Sequence, residues 1–305
     1  FAGVISCTGG LTKQGSGTFT LSGANTYTGS TTVNAGTLTL AGGSAIVNNG
    51  AVTLAGSANL TLLASETIGS LGGAAGTTLT LGANTLTTGG NNSSTTFSGV
   101  ISGTGNLVKQ GSGTFTLGGA NTYTGTTTVN AGTLAISAIG NLGASPVSAT
   151  PNALTLNGGT LQVTSTGVTF ETNRGITVGS SNGTIDVRVA NPNNFTIDSP
   201  VALTGKLSFN RGDGSGGATS NVAVNGQISG GGSLVVETPG GGRVLNVTLN
   251  ASNTFTGGTT LGNTAQTGTN RLILGTDTAL GTGTLTVSRG ELQGTASRTI
   301  ANAVS

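Results

Sequence analysis

The chain has 305 residues, of which 57 are Gly, while charged residues make up only 6% and aromatic residues 3% of the sequence. It has no His and one Cys, Cys7, which excludes Ser-His-Asp catalysis, a haem iron held by His, a zinc finger and an intramolecular disulfide framework. The formal net charge is +2, and Lys13, Lys109 and Lys206 lie too far apart to follow a phosphate backbone, so no nucleic-acid partner is expected.

Disorder and helix are both disfavoured by this composition. Mean hydropathy is +0.16 and there are five Pro, whereas disordered chains combine low hydropathy with high charge and abundant Pro. Thr, Asn, Ser, Val and Gly are poor helix formers, so β-structure is the expected class. The start at Phe1 lacks an initiator Met and a signal peptide, and we expect the chain to be a piece of a longer protein.

Short strand candidates recur along the first part of the chain at intervals of about 19 residues, bounded by Gly, Asn and Ser. Apolar residues and Thr alternate in them, which predicts that Phe and Leu face one side and Thr the other. The candidates are Thr18–Leu21, Thr37–Leu40, Val52–Leu54, Leu60–Leu63 and Thr78–Leu81.

A long internal repeat connects these strands. Residues 1–40 align with residues 97–136 without a gap, at 32 identical positions out of 40. A looser third copy contains ISGGGSLV from Ile228 and SNTFTGGTTLGN from Ser252. The sequence therefore predicts one continuous domain over residues 1–305, with cycles at about 1–96, 97–222 and 223–305.

Stacked coils of short strands explain this repetition. One coil cannot bury its apolar side alone, but coils stacked at about 4.8 Å build a continuous narrow core. We predict an all-β solenoid of roughly 15 coils of about 20 residues, with corners at Asn34–Gly36, Asn48–Gly50 and Asn130–Gly132 where Gly and Asn tolerate the required backbone. A β-sandwich or jelly roll is disfavoured because its strands do not normally share a sequence cycle.

The cycle from Val100 to Ile136, followed by NALTLNGGTLQ from Asn152, resembles the autotransporter-associated β-strand repeat of Gram-negative autotransporter passenger domains. The resemblance covers most of residues 1–136 and returns more weakly from about 226 to 294. It implies a right-handed parallel β-helix that is secreted to the bacterial cell surface through an outer-membrane barrel at the C-terminal end of the precursor. No such barrel is present in this sequence, so anchoring is expected to come from a missing C-terminal part.

Many members of this family act as adhesins or surface fibres. The resemblance thus implies a host or neighbouring cell surface, a glycan or a matrix protein as partner, and end-to-end self-association as an option. Near absence of Cys agrees with export of an unfolded chain, which premature disulfides would trap. Cys7 stands where the second copy has Gly103, and we interpret it as a chance substitution or an introduced change.

Acidic residues are the main alternative source of chemistry. Glu171 and Asp186, with Arg174 and Arg188, fall within one to two coils and would form a carbohydrate-cleaving site if they shared a face. A solvated pair on an outward face predicts the same spacing. The Gly-rich tract Gly212–Gly217 contains one Asp and is interpreted as a projecting loop in preference to a calcium site.

One aromatic residue per cycle follows an Asn-Thr pair. We predict that these aromatic residues plug the core or a corner, while the preceding Asn side chains bind backbone at the turn. The three pairs are Asn25 with Tyr27, Asn121 with Tyr123, and Asn253 with Phe255.

Thr-x-Thr units raise a further alternative, an ice-binding module in which rows of Thr match a water lattice. Against it, the units vary between TFT, TLT and TYT, and gaps are expected to break any regular row.

The favoured interpretation is a non-catalytic structural or adhesive stem of a secreted bacterial surface protein. Its coils provide length, and loops around Asn141–Asn152 and Gly212–Gly217 provide binding. No catalytic, cofactor-binding or metal-binding residue is assigned. The alternatives are a carbohydrate-active enzyme that uses Glu171 and Asp186, and the Thr-ladder ice-binding module.

Overall fold

The structure, a computed structural model, describes residues 1–188, 194–212, 219–238, 242–263 and 268–305. It is an all-β parallel β-solenoid of about 11 turns, which confirms the predicted fold class. The predicted count of 15 coils is too high. The equivalent hydrogen bond to a corner Asn spans 20 residues at Ile101 but 25 residues at Ile228, so later coils use more chain than the assumed 20 residues.

The chain divides into two compact units, and the first consists of Phe1–Ile136 and Gly140–Ser145. Whether residues 1–305 form one continuous domain stays a prediction. The strands of the first unit are β1 Leu11–Lys13, β2 Thr18–Leu21, β3 Thr31–Val33, β4 Thr37–Leu40, β5 Ala51–Leu54, β6 Asn59–Leu62, β7 Glu66–Ile68, β8 Ser70–Gly73, β9 Thr78–Thr80, β10 Leu86–Thr88, β11 Thr95–Phe97, β12 Val100–Ser102, β13 Leu107–Lys109, β14 Thr114–Leu117, β15 Thr127–Val129 and β16 Thr133–Ile136.

These strands form three parallel sheets because the coils stack and their strands fall on three faces. Sheet 1 contains β1, β3, β5, β8, β11, β14 and β16, sheet 2 contains β2, β4, β6, β9 and β12, and sheet 3 contains β7, β10, β13 and β15. The predicted alternation is confirmed for Leu21, Leu38 and Leu40, which are fully buried, whereas Phe19 in the first coil is half-buried. Stacking like residues on like thus builds the apolar interior.

The second unit consists of Ser137–Ile139 and Pro146–Ser305. Its strands are β17 Thr150–Leu156, β18 Thr160–Val163, β19 Thr169–Phe170, β20 Arg174–Val178, β21 Gly183–Val187, β22 Asn194–Ile197, β23 Val201–Leu203, β24 Leu207–Asn210, β25 Thr219–Val224, β26 Ile228–Gly230, β27 Leu234–Glu237, β28 Val244–Leu249, β29 Thr259–Leu261, β30 Thr269–Leu274, β31 Leu285–Val287 and β32 Glu291–Gly294. A 3-10 helix spans Ile139–Leu142.

Three parallel sheets again enclose the core of the second unit. Sheet 4 contains β18, β21, β24, β27, β29 and β31, sheet 5 contains β17, β20, β23 and β26, and sheet 6 contains β19, β22, β25, β28, β30 and β32. Three neighbouring strands of sheet 6, β25, β28 and β30, have six residues each, which accounts for part of the longer coil.

Glycine is required at two predicted corners. Gly36 and Gly132 have φ of 68° and 63°, a region that L side chains rarely adopt. A Cβ atom on Gly36 would also lie 2.4 Å from the carbonyl oxygen of Gly17 in the preceding coil. The corners at Asn34–Gly36 and Asn130–Gly132 are therefore confirmed.

The loop predicted around Asn141–Asn152 is confirmed in its middle, where residues 143–149 lie outside helices and strands and Val147 is 99% exposed, but it is wrong at both ends. Asn141 lies in the 3-10 helix and is 3% exposed, and its Nδ2 donates to the carbonyl oxygen of Gly119 at 2.8 Å. The other end is already part of β17. Asn141 can be buried because its side chain bonds to backbone, although the composition of the surrounding segment is typical of a loop. Of the second predicted loop, Gly212–Gly217, all but Gly212 lies outside the described residues.

Candidate functional site

Of the two carboxylates of the enzyme alternative, that of Asp186 lies in a sheet and that of Glu171 lies in a turn between strands. Glu171 follows β19 of sheet 6, whereas Asp186 belongs to β21 of sheet 4. Each pairs with an arginine close to it in the chain: Arg174 Nε lies 3.2 Å from Glu171 Oε2, and Arg188 Nε lies 2.6 Å from Asp186 Oδ2. Each carboxylate is therefore held by its own arginine, and the two belong to different elements of the coils.

Asp186 has a structural environment. Its side chain is 5% exposed, and Oδ1 accepts a hydrogen bond from the backbone N–H of Gly212 at 2.5 Å. The ion pair to Arg188 is local, two residues along the chain, whereas the contact with Gly212 binds the carboxylate to a neighbouring coil. The carboxylate therefore joins two coils.

The aromatic residues are core plugs, as predicted. Tyr27, Tyr123 and Phe255 are fully buried. The hydroxyl of Tyr27 lies 2.5 Å from Thr31 Oγ1, and the hydroxyl of Tyr123 lies 2.6 Å from Thr127 Oγ1. Each tyrosine thus has an apolar ring in the core and a partner for its polar end.

The corner asparagines bind backbone on both sides, which also confirms the prediction. Asn121 Oδ1 accepts from the N–H of Ile101 at 2.7 Å, and its Nδ2 donates to the carbonyl oxygen of Asn141 at 2.6 Å. Asn25 and Asn253 make equivalent pairs of contacts. One amide therefore connects three successive coils.

The third plug leaves one hydroxyl without a bond. Phe255 stands where the earlier copies have Tyr, and Thr259 Oγ1, at the position of Thr31 and Thr127, is buried and has no hydrogen-bond partner within the described part of the chain. The loss of the phenol oxygen accounts for this.

Sequence reasoning missed the roles of the two lysines of the repeat. Lys109 is fully buried, and its Nζ donates to the carbonyl oxygens of Gln110, Gly111 and Ala131 at 2.7, 2.7 and 3.2 Å. An ammonium group has three N–H donors, so the cage satisfies all of them. Because Ala131 lies one coil further on, the lysine joins two coils.

Lys13 makes the same cage in the first copy. Its Nζ donates to the carbonyl oxygens of Gln14, Gly15 and Ala35 at 3.0, 2.7 and 3.1 Å. Unlike Lys109, it lines an open groove of about 460 Å³ formed by residues 11–15 and 17–19. The segment KQGSG, identical in both copies, is the signal that could have indicated a shared contact.

Burial shifts the pKa of two charged groups in the first unit. Burial lowers the pKa of Lys109 to about 8. It also raises the pKa of Glu66, although the N–H groups of Ala45 and Ile46 donate to this carboxylate at 3.2 and 3.0 Å and oppose the shift. Both groups contact backbone of another coil.

Other chemistry-bearing residues are dispersed. Cys7 is free and exposed, and its Sγ contacts the carbonyl oxygen of Gly9 at 3.6 Å. Throughout the described ranges, His, Cys, Asp and Glu never gather in groups of three or more that could hold a metal ion. Over the same ranges, no helix combines the length and apolar character needed to cross a membrane.

Comparison with known proteins gives one family. The model of the passenger-associated-transport-repeat matches residues 11–40 and 107–136, and these two matches contain the Lys13 and Lys109 cages. Searches among curated proteins and among solved structures gave no match. The chain thus carries two passenger-associated transport repeats on a parallel β-solenoid, as an autotransporter passenger built of β-helix repeats does.

Proposed function

We propose that the chain is a non-catalytic stem in a secreted, surface-exposed protein of the autotransporter passenger type. The observation that carries this proposal is the use made of its polar side chains. Lys109, Asn121 and Glu66 all bind backbone of another coil. Buried polar side chains that hydrogen-bond to a neighbouring coil hold the coils together, and such a chain is suited to resisting unfolding.

We further propose that this stem is adhesive, with a glycan, a matrix protein or the surface of a neighbouring cell as its partner. The carbohydrate-cleaving alternative has no comparable support, because Glu171 lies in the turn after β19, Asp186 lies in β21, and each pairs with its own arginine.

The test has two arms. The folded chain is incubated with a nonspecific protease, and its survival is compared with that of the Lys109→Met variant; persistence of the wild type and faster digestion of the variant support the stem. The chain is also applied to an array of glycans and matrix proteins. Release of shortened glycans would refute the non-catalytic assignment, and an array without any bound spot would refute adhesion.

End-to-end self-association is a related proposal. β1 is the first strand of sheet 1 and borders the open groove at residues 11–19, whereas Phe1 already bonds to the backbone of Thr20 in β2. A terminal strand offers backbone donors and acceptors to another chain. Sedimentation over a concentration series should show mass growing in steps of one chain, and a monomer at every concentration would refute it.

A further inference from the structure

The outward face of sheet 2 carries two columns of short side chains, and the second column has a hydroxyl group on every strand. Strands β2, β4, β6, β9 and β12 pair without a register shift. Their outward residues therefore align in two columns, of which the first is Thr18, Thr37, Asn59, Thr78 and Val100, and the second is Thr20, Thr39, Thr61, Thr80 and Ser102. The expected gaps occur in the first column, where Asn59 and Val100 interrupt the Thr row and Thr78 Oγ1 donates to Asn59 Oδ1. The expectation is wrong for the second column, which is unbroken, and the TYT unit lies outside the strands.

The array repeats in two directions. Neighbours within a column are ~4.8 Å apart, and the two columns are ~6.7 Å apart, as strand spacing and rise per residue require. Thr is stiff at χ1, so its hydroxyl and methyl groups point in repeated directions. Beneath the array, Leu38, Leu60, Leu79 and Ile101 are fully buried and hold the strands in place.

The lack of exposed charged side chains and of aromatic residues on this face argues against ionic ligands and sugars. Residues 1–145 contain three charged side chains, Lys13, Glu66 and Lys109, and all three are buried, at 8%, 2% and 0% exposure. An ionic ligand therefore finds no side-chain counter-charge. The two columns contain no aromatic residue on which a sugar ring could stack.

The size of the face also excludes a second copy of the chain. Five strands at ~4.8 Å and two columns of side chains cover roughly 240 Å², whereas a stable protein interface buries about 800 Å² on each partner. A small, uncharged and rigid lattice of hydroxyl and methyl groups instead matches a surface that is itself a lattice of uncharged hydrogen-bonding groups.

We propose that the outward face of sheet 2 adsorbs to ice. Its hydroxyl groups hold water in the two-dimensional order that the strands impose, and this ordered water joins the ice surface. Apart from Thr39, which is 7% exposed, the members of both columns are half-exposed or exposed and can take part. This inference is independent of the role as a stem.

The experiment measures thermal hysteresis, the gap between melting and freezing temperatures, and inhibition of ice recrystallisation by the purified chain. Thr61→Tyr places a bulky group in the middle of the second column, and Thr61→Lys serves as a second variant that is easier to accommodate because Thr61 is half-exposed. The matched control is Thr53→Tyr, since Thr53 occupies an outward column of sheet 1 with Thr32. Circular dichroism verifies that each variant is folded.

The wild type and Thr53→Tyr should show both activities, and both Thr61 variants should lose them. Absence of activity in the wild type would overturn the proposal. Full activity in a folded Thr61 variant, or equal loss in Thr53→Tyr, would also overturn it, because the active surface would then lie elsewhere.

Discussion

The lysine cage allows a sharp test of how the coils are held together. In Lys109→Met the apolar stem of the side chain remains, but the carbonyl oxygens of Gln110, Gly111 and Ala131 lose their donor. Each buried carbonyl left without a partner costs about 1–3 kcal/mol, while removal of the buried charge returns several kcal/mol of desolvation. We expect a net loss in the free energy of unfolding of about 2–4 kcal/mol.

Lys13→Met is the internal control for this change. It removes the same type of donor from the same type of cage, but Lys13 borders the open groove, where water can replace the ammonium group. Denaturant unfolding followed by circular dichroism should show a smaller shift of the midpoint for Lys13→Met than for Lys109→Met. Equal shifts, or a more stable Lys109→Met variant, would refute the reasoning.

The pH dependence supplies a second readout of the same cage. Because burial lowers the pKa of Lys109 to about 8, the unfolded chain binds this proton more tightly than the folded chain. Stability should therefore rise between about pH 8 and the ordinary lysine pKa of about 10.4. Burial raises the pKa of Tyr27, so the measurement stays below pH ~10, where unfolded tyrosine ionises. The rise should be absent in Lys109→Met.

Three further changes test the remaining coil contacts. Phe255→Tyr should raise the free energy of unfolding by about 1 kcal/mol, because the new hydroxyl reaches Thr259 Oγ1; an unchanged denaturation midpoint would contradict this. Asn121→Ala should lower the free energy of unfolding by about 2–4 kcal/mol, because the N–H of Ile101 and the carbonyl oxygen of Asn141 both lose their hydrogen bond to this amide. A denaturation midpoint within error of the wild type would disprove this role. Burial raises the pKa of Glu66, so the folded state keeps this proton to a higher pH than the unfolded state does, and stability should fall as pH rises above the ordinary pKa of Glu. Glu66→Gln should flatten this pH dependence in denaturation midpoints measured from about pH 4 to about pH 7. An unaltered profile in the variant would count against the role of Glu66.

The fold class was accessible from sequence because local and long-range patterns agree. The alternation in Thr18–Leu21 and the repetition of residues 1–40 at 97–136 both require strands stacked on like strands. The number of turns was not accessible, because coil length was read from the first cycles alone. The six-residue strands β25, β28 and β30 show that later coils take up more chain.

The polar contacts were predicted unevenly, for a physical reason. The Asn-Thr-Tyr corner is a local pattern whose turn chemistry can be read directly, and Asn25 and Tyr27 behave accordingly. The lysine cage depends on a carbonyl oxygen 22 residues away, which spacing alone does not place. The positions of Glu171 and Asp186 could not be read from the sequence, because neighbouring coils contribute to several faces and proximity in sequence does not decide which face a residue joins.

Chemical modification of the buried lysines can also measure how often neighbouring coils separate. An amine-acylating reagent should modify the exposed Lys206 in the intact protein but reach Lys109 only when its coil separates from the next. The time course of labelling at Lys109 would then measure how often that coil opens, without a substitution to introduce a reporter residue.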